Sequence, residues 1–206
     1  MKAMHLSAAL VAAMLTGVAP AGAQTIVDQW SSVQAPPAPE LKKVKVDPKT
    51  TAFLVLDLIS QICNKPGCIA MLPKVAKFLD EARAHNMPVV YSEIPGRDAK
   101  DILPQVAPKS GEPIVAFRAD KFITTDLEKI LKDRGVTTVI VVGVAAEGAV
   151  LYTSSHAAFI GLKVVVPVDG MSSATPFGEQ ATAWALTNAP GVAPATTLTR
   201  FDMIEW

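Results

Sequence analysis

The sequence predicts an α/β fold: a doubly wound, mostly parallel sheet in a Rossmann-like three-layer sandwich. Three observations carry this. Short apolar runs of strand composition recur along the chain, as TAFLVL, PVVYS, TTVIVVG and KVVVPV. Segments with apolar residues at helical spacing separate them, and glycine or proline marks most of the junctions. Strands alternating with helices build a parallel sheet through right-handed crossovers, with helices on both faces.

The first residues stand outside that pattern. Lys2 precedes an apolar, alanine-rich run from Leu6 to Val18, and Ala21-Gly22-Ala23 offers a small-residue cleavage site before Gln24. This is the plan of a secretory signal peptide over residues 1–23; the competing reading, a membrane anchor, is disfavoured by the shortness of the run and its flanks. The mature chain is therefore expected to be exported, periplasmic or secreted, with no membrane attachment after cleavage. Residues 24–50 hold Pro36, Pro37, Pro39 and Pro48 without an apolar period and read as a proline-rich arm, with Trp30 as its one large anchoring side chain. Residues 51–206 are the folded domain, long enough to bury a substantial core.

The elements follow in order. Thr51–Leu56 is a strand buried on both faces, closed by Asp57. Met71, Val75, Phe78, Leu79 and Ala82 mark a helix ending near His85 and Asn86. Residues 88–92 form a second strand, and a long Pro-, Lys- and Asp-rich connection from Glu93 to Glu112 has the character of a lid. Residues 113–117 are a short third strand, and Leu127, Ile130 and Leu131 a second helix that stops at Gly135. The strand at 137–143 leads into a helix from Glu147 to Ile160; strand 163–168, helix 176–188 and strand 195–199 complete the pattern.

Composition excludes some function classes. Lys plus Arg and Asp plus Glu number 19 each, so no electrostatic footprint for nucleic acid or an anionic membrane exists. No glycine-rich phosphate loop is present, and the histidines His85 and His156 lack partners at metal-ligand spacing and read as surface residues. No cofactor or metal is expected. Cys63 and Cys68 flank Asn64-Lys65-Pro66-Gly67, strong turn chemistry that lets the two Cβ atoms meet in a disulfide. Free buried thiols, or a reactive thiol beside the site, are the alternatives.

In a doubly wound sheet, ligands bind outside the C-terminal strand ends, where the strand order switches. Asp57 sits at such an end; its other reading is a cap of the following turn. After the 137–143 strand, Val144 to Val150 are small residues apart from Glu147, a turn whose N–H groups can cradle negative charge. Ordinary close packing of strand on helix is the alternative there.

The blocks TAFLVLD, PVVYS, DKFITTDLEKIL and VIVVGVAAEGAVLYTSSHAAFIGLKVVVPVDG resemble the isochorismatase-like (cysteine hydrolase) superfamily in order and spacing, over about residues 51 to 190. The resemblance implies three chemical positions: an aspartate base, matched by Asp57; a lysine, whose place falls on Ala116; and a cysteine nucleophile, whose place in the pattern G-V-x-T-x-x-C-V falls on Ala149. On that alignment the chain lacks both the nucleophile and the lysine, and Ile59 replaces a family glutamine. Alanine can neither attack nor take a proton, so a covalent acyl-enzyme through Ala149 is closed. True isochorismatases also lack the cysteine and work without a covalent intermediate.

The remaining candidates are few. Arg118 and Lys121 can each bring a cation to Asp57, or pair with Asp120 or Asp126 instead. Gln61, Ala145, Ala146, Glu147, Gly148 and Tyr152 are placed to contact a small-molecule ligand. Without a nearby lysine, Asp57 is expected to have a raised pKa and to act as an acid. Three functions fit: a hydrolase working without a covalent cysteine, a ligand-binding pseudoenzyme, and a structural subunit. The family's habits imply a homo-oligomer.

Overall fold

A computed structural model describes residues 25–206, so the predicted signal peptide lies outside the described residues. Two compact units divide the chain at Pro36 and Pro37. In the first, a short helix α1 (Ile26–Gln29) runs into a 3-10 turn, Trp30–Ser32. Thr25 and Asp28 form the capping box that starts it, with the Thr25 N–H and hydroxyl both donating to Asp28 Oδ2, at 2.8 and 2.9 Å. The arm was expected to lack regular structure; this capping box is the signal that reading missed. Trp30, the expected anchor, is exposed.

The second unit is a doubly wound sheet. Its strands are β1 (Val44–Lys45), β2 (Thr51–Leu56), β3 (Val89–Glu93), β4 (Ile114–Ala116), β5 (Thr138–Val144), β6 (Lys163–Pro167), β7 (Met171–Ser172), β8 (Thr196–Thr199) and β9 (Ile204–Glu205). The main sheet runs β4-β3-β2-β5-β6-β8, with β7 paired to the end of β5, and every pairing is parallel. β1 and β9 form a separate two-stranded ribbon. That ribbon places the lysine-rich stretch before β2 on the domain itself, where Lys43 pairs with Glu205.

The helices α2 (Pro66–Ala84), α3 (Leu127–Asp133), α4 (Leu151–Phe159) and α5 (Pro176–Asn188) sort onto two faces. Alternation along β2 explains the sorting. Phe53 and Val55 point into the layer that holds α2, while Ala52, Leu54 and Leu56 point into the layer of α3, α4 and α5. In the α2 layer Phe78 packs on Phe53, Phe201 and Trp206, at ring-centroid distances of 4.9, 5.1 and 5.2 Å. His85 is exposed, as expected, and its ring stacks on Trp206.

Strand order turns back on itself between β2 and β5. From β2 the chain adds β3 and β4 on one side; from β5 it adds β6 and β8 on the other. The crevice at their C-terminal ends is thus the switch point, with Asp57 on one wall and the turn after Val144 on the other.

The long connection does not hang free as a lid. Ile59 and Ile102 form a β-bridge, the Leu103 N–H donates to the Leu58 carbonyl, and Val106 is buried. Arg83 clamps its far end through Glu112, the Ala107 carbonyl and the Tyr91 hydroxyl. Its apolar residues, spaced irregularly among charges, carry no periodicity and so gave no sign of this anchoring.

Candidate functional site

Asp57 follows β2 directly, and its backbone turns left-handed there, with φ +54°. A non-glycine residue in that conformation needs support from its surroundings. The Asp57 N–H donates to the Ser92 carbonyl at 3.1 Å, and the Ser92 hydroxyl donates to Asp57 Oδ1 at 2.7 Å. Ser92 is held in place by register, opposite Leu56 across the β2–β3 pair.

The second carboxylate oxygen belongs to Lys121. Its Nζ lies 2.7 Å from Asp57 Oδ2 and donates to the Phe117 carbonyl at 2.7 Å and the Glu93 carbonyl at 3.4 Å. All three ammonium donors are therefore occupied, and Lys121 is 0% exposed and Asp57 3%. This corrects the expectation that Asp57 lacks a cation. Matching by spacing put the lysine on β4, at Ala116; the cation instead comes from the loop after β4, which folds back over the strand end. It corrects also the reading that pairs Lys121 with Asp120 or Asp126.

That loop is pinned by α4. Thr153 Oγ1 accepts the Lys121 N–H and donates to the Ala119 carbonyl. Asp120 Oδ2 lies 2.7 Å from His156 Nδ1, and the His156 ring stacks on Phe122 at 4.6 Å. His156 is thus a loop anchor and not the surface residue expected.

Burial pushes the Asp57 carboxyl above its ordinary value, against the attraction of Lys121 and the hydrogen bonds from Lys121 and Ser92. The direction matches the sequence expectation, but the cause is desolvation and not a missing lysine. Burial likewise lowers Lys121, against the pull of Asp57. Glu93, with Oε2 buried and unpartnered, is raised by burial and by the charges of Asp98, Asp101 and Asp57.

The facing wall has a different character. Gly143 adopts φ +136°, and a Cβ there would stand 2.0 Å from the Leu56 carbonyl oxygen, so no other residue fits beside β2. The Val144–Ala145 peptide bond is cis. A π turn, Ala146–Val150, then leads into α4, and the Ala145 carbonyl accepts the Gly148 and Val150 N–H groups. Ala146 and Ala149 are buried and bring no reactive group.

Between the walls lies a cleft of about 510 Å³, lined by Asp57, Ile62, Ile94, Pro95, Arg118, Ala119, Val144 and Ala145. Ile62, Val144 and Ala145 also border a neighbouring cavity of about 380 Å³, whose polar lining includes Gln61, Asn64, Lys65, Glu147, Ser172 and Ser173. Gln61, predicted beside Asp57, belongs to this second space because its amide donates to Asp101 at 2.9 Å. Glu147 lines it too, whereas Gly148 lines neither. Tyr152, a predicted ligand contact, also lines neither cavity; it stands on the solvent face of α4.

Cys63 and Cys68 are bonded, with Cα atoms 5.4 Å apart. Asn64 to Gly67, read as a plain turn, instead ends in the first turn of α2, where Pro66 takes the N-terminal position it favours. The bond joins the Ile62 loop to that helix and removes both thiols from any role as nucleophile. Among the described residues no cluster of three or more His, Cys, Asp or Glu side chains is placed to hold a metal, and no helix is long and apolar enough to cross a membrane.

Sequence reasoning missed Ser92, Thr153 and His156. Ser92 carries the same signal as Asp57, a polar residue closing an apolar strand. Thr153 and His156 had none, since only tertiary packing brings α4 against the lysine loop.

Comparison with known proteins agrees with this architecture. The fold is that of an isochorismatase family protein from Burkholderia thailandensis, at 19% identity and a TM-score of 0.68, covering 79% of this chain and 97% of that one. A nicotinamidase from Staphylococcus aureus aligns at 20% identity and a TM-score of 0.64, covering 74% and 99%. By sequence, the isochorismatase family protein YwoC of Bacillus subtilis (strain 168) is 24% identical over 157 residues, 65% of this chain and 83% of that protein. An N-carbamoylsarcosine amidase from an Arthrobacter species is 27% identical over 139 residues, 54% of this chain and 53% of the amidase. The Isochorismatase domain model matches residues 51–199, which span β2, with Asp57 at its end, through β8, and the chain belongs to the isochorismatase family.

Proposed function

We propose that this chain is an exported hydrolase of a small molecule that works without a covalent cysteine intermediate, with the Asp57–Lys121 pair as its acid–base centre. The observation that carries this reading is the buried pair itself, with Asp57 lining a cleft whose opposite wall, Val144 and Ala145, offers no nucleophile. Water is then the attacking group. Asp57 takes its proton and returns it to the leaving group, and the raised carboxyl suits the second step. Backbone N–H groups of Ala146 and Ala149 hold the developing negative charge. Arg118, at the cleft rim and with no ion pair among the described residues, favours an anionic ligand. Export is supported by the signal-like N-terminus and by the Cys63–Cys68 bond, which suits an oxidising compartment.

A turnover screen over esters, amides and vinyl ethers, run beside Asp57→Asn, tests this. Amides belong in it because an amidase and a nicotinamidase are among the relatives. Activity that survives Asp57→Asn unchanged would remove Asp57 from the mechanism. A second reading, a binding protein without turnover, draws on one observation: both Asp57 oxygens are already engaged, by Ser92 and Lys121. Micromolar binding of a carboxylate ligand that is never consumed would favour it.

A further inference from the structure

Beside the Asp57 cleft, the cavity of about 380 Å³ has six polar side chains in its lining, and three of them are already engaged. The Gln61 amide donates to Asp101, the Asn64 amide donates to the Gln61 carbonyl, and Ser173 Oγ accepts the Thr175 N–H. The other three are Lys65, Glu147 and Ser172. Neither Lys65 nor Glu147 has an ion pair among the described residues, although both border this one cavity. Ser172 is 2% exposed, and its hydroxyl has no hydrogen-bond partner. A buried hydroxyl left unsatisfied is costly, so a ligand atom is its natural partner.

The surroundings sort these three groups. α2 starts here without a side-chain cap: Lys65 precedes it, Pro66 has no N–H, and Gly67 and Cys68 open its first turn. Ser172 stands against that turn, since a Cβ on Gly67 would lie 2.9 Å from its Oγ. A cation, a hydroxyl donor and a helix N-terminus thus gather at one place, and together they suit a carboxylate. α5 starts beside Ser173, where Thr175 caps the Gly178 N–H. There Glu147 Oε2 lies 3.0 Å from the point a Gly178 Cβ would occupy, and its carboxylate offers acceptors to a cation. Glu179 does not line the cavity but lies near Gly67, with Oε1 3.8 Å from the same Cβ position. With two carboxylates so near, a lone anion is poorly matched and a ligand bearing both charges is well matched.

We propose that this cavity binds the α-amino-acid head of the substrate, with the carboxylate at Lys65, Ser172 and the first turn of α2 and the ammonium at Glu147. Ile62, Val144 and Ala145 border both cavities, so the rest of the molecule passes over them toward Asp57. A head held by both its charges leaves the side chain to carry the scissile amide or ester. Water then adds its hydroxyl to the carbonyl carbon, and its proton leaves with the amine or alcohol. The ligand's standing as substrate rests on the proposed hydrolysis, whereas binding of the head does not.

NMR titration of the full chain, read at the Gly67 and Cys68 amides, tests this. The probes are L-2-aminobutyrate and its two halves, butyrate and propylamine, none of which has a bond to hydrolyse. Aminobutyrate is expected to bind at about millimolar affinity, roughly tenfold or more tighter than either half. Lys65→Met should weaken aminobutyrate about tenfold and leave propylamine unchanged, whereas Glu147→Gln should weaken both amines about tenfold and leave butyrate unchanged. Ser172→Ala should weaken aminobutyrate and butyrate alike without lowering the melting temperature, because it deletes a hydroxyl that the chain leaves unpartnered. Lys65 and Glu147 are exposed, so their variants should fold, and their pattern decides the matter even if Ser172→Ala misfolds. Butyrate or propylamine binding as tightly as aminobutyrate overturns the proposal, as does aminobutyrate binding that neither charge substitution weakens, or no binding at about 50 mM. No turnover is read, so failure here is separate from failure of the Asp57–Lys121 reading, which Asp57→Asn tests.

Discussion

At the end of β2, Asp57 is held by a hydroxyl, an ammonium and a backbone hydrogen bond; at the end of β5, the turn from Ala145 to Val150 offers peptide groups and methyls, with Glu147 facing the neighbouring cavity. The two walls face one cleft, yet one is a charged network and the other is bare. The difference teaches which of the two walls the fold itself depends on. A charged, buried network is expensive to dismantle piece by piece, because each removal strands a partner in low dielectric. A nucleophile on a turn has no such structural hold, and alanine there leaves the fold intact. On the proposed reading, a wall that supplies a base, opposite one that supplies only backbone, activates water and forms no covalent adduct.

The sharpest way to break the charged wall is Lys121→Met. It strands a buried carboxylate, and we expect a loss of about 3–5 kcal/mol in denaturant unfolding together with loss of any turnover. A loss within 1 kcal/mol of zero would mean that Asp57 finds water instead. Gly143→Ala attacks the bare wall through its backbone. A methyl 2.0 Å from the Leu56 carbonyl forces β5 and β2 apart, at a cost of about 3 kcal/mol, whereas Ala149→Gly, which removes only a methyl, should cost about 1 kcal/mol. Equal effects would show that the wall's tolerance is not set by strand contact.

Ser92→Ala sharpens the comparison within the charged wall. It removes one hydrogen bond from Asp57 and leaves the lysine, so about 1–2 kcal/mol should be lost. The Asp57 pKa, followed by NMR, should rise further. The smallest effect concerns pH. Burial raises the folded-state values of Asp57 and Glu93, so their stabilising contribution is present below the ordinary carboxylate range and is lost as pH rises through the raised values. Glu93→Gln should flatten part of that decline, by less than about 1 kcal/mol, in melting temperatures compared between pH 4 and pH 7. An unchanged slope would remove Glu93 from the balance.

Much of the fold was legible in particular residues. The continuous apolar run of Thr51–Leu56 identified a central strand, which is buried throughout, and α5 was bounded by Pro176 and by Pro190 beyond its end. The two-residue strands β1, β7 and β9 were not, because a strand that short has no periodicity. Asp57 was legible because a carboxylate closing an apolar strand is costly without a purpose. Lys121 was named as a candidate cation for Asp57, but Asp120 and Asp126 stayed open as its partners, since counting along the chain does not say how a loop folds back.

By itself, then, the sequence determined the order and character of the layers: which runs lie in the sheet, which faces of the helices turn inward, and that the turn after β5 carries no nucleophile. These follow from side-chain periodicity and residue identity, which are local. Only the tertiary structure decided that Lys121 pairs with Asp57, that α4 holds the lysine loop through Thr153 and His156, and that Tyr152, Phe159, Phe177 and Trp184 stand exposed on two packed helices. Those are pairings between residues far apart in the chain. They depend on strand register and helix packing, which no single segment encodes.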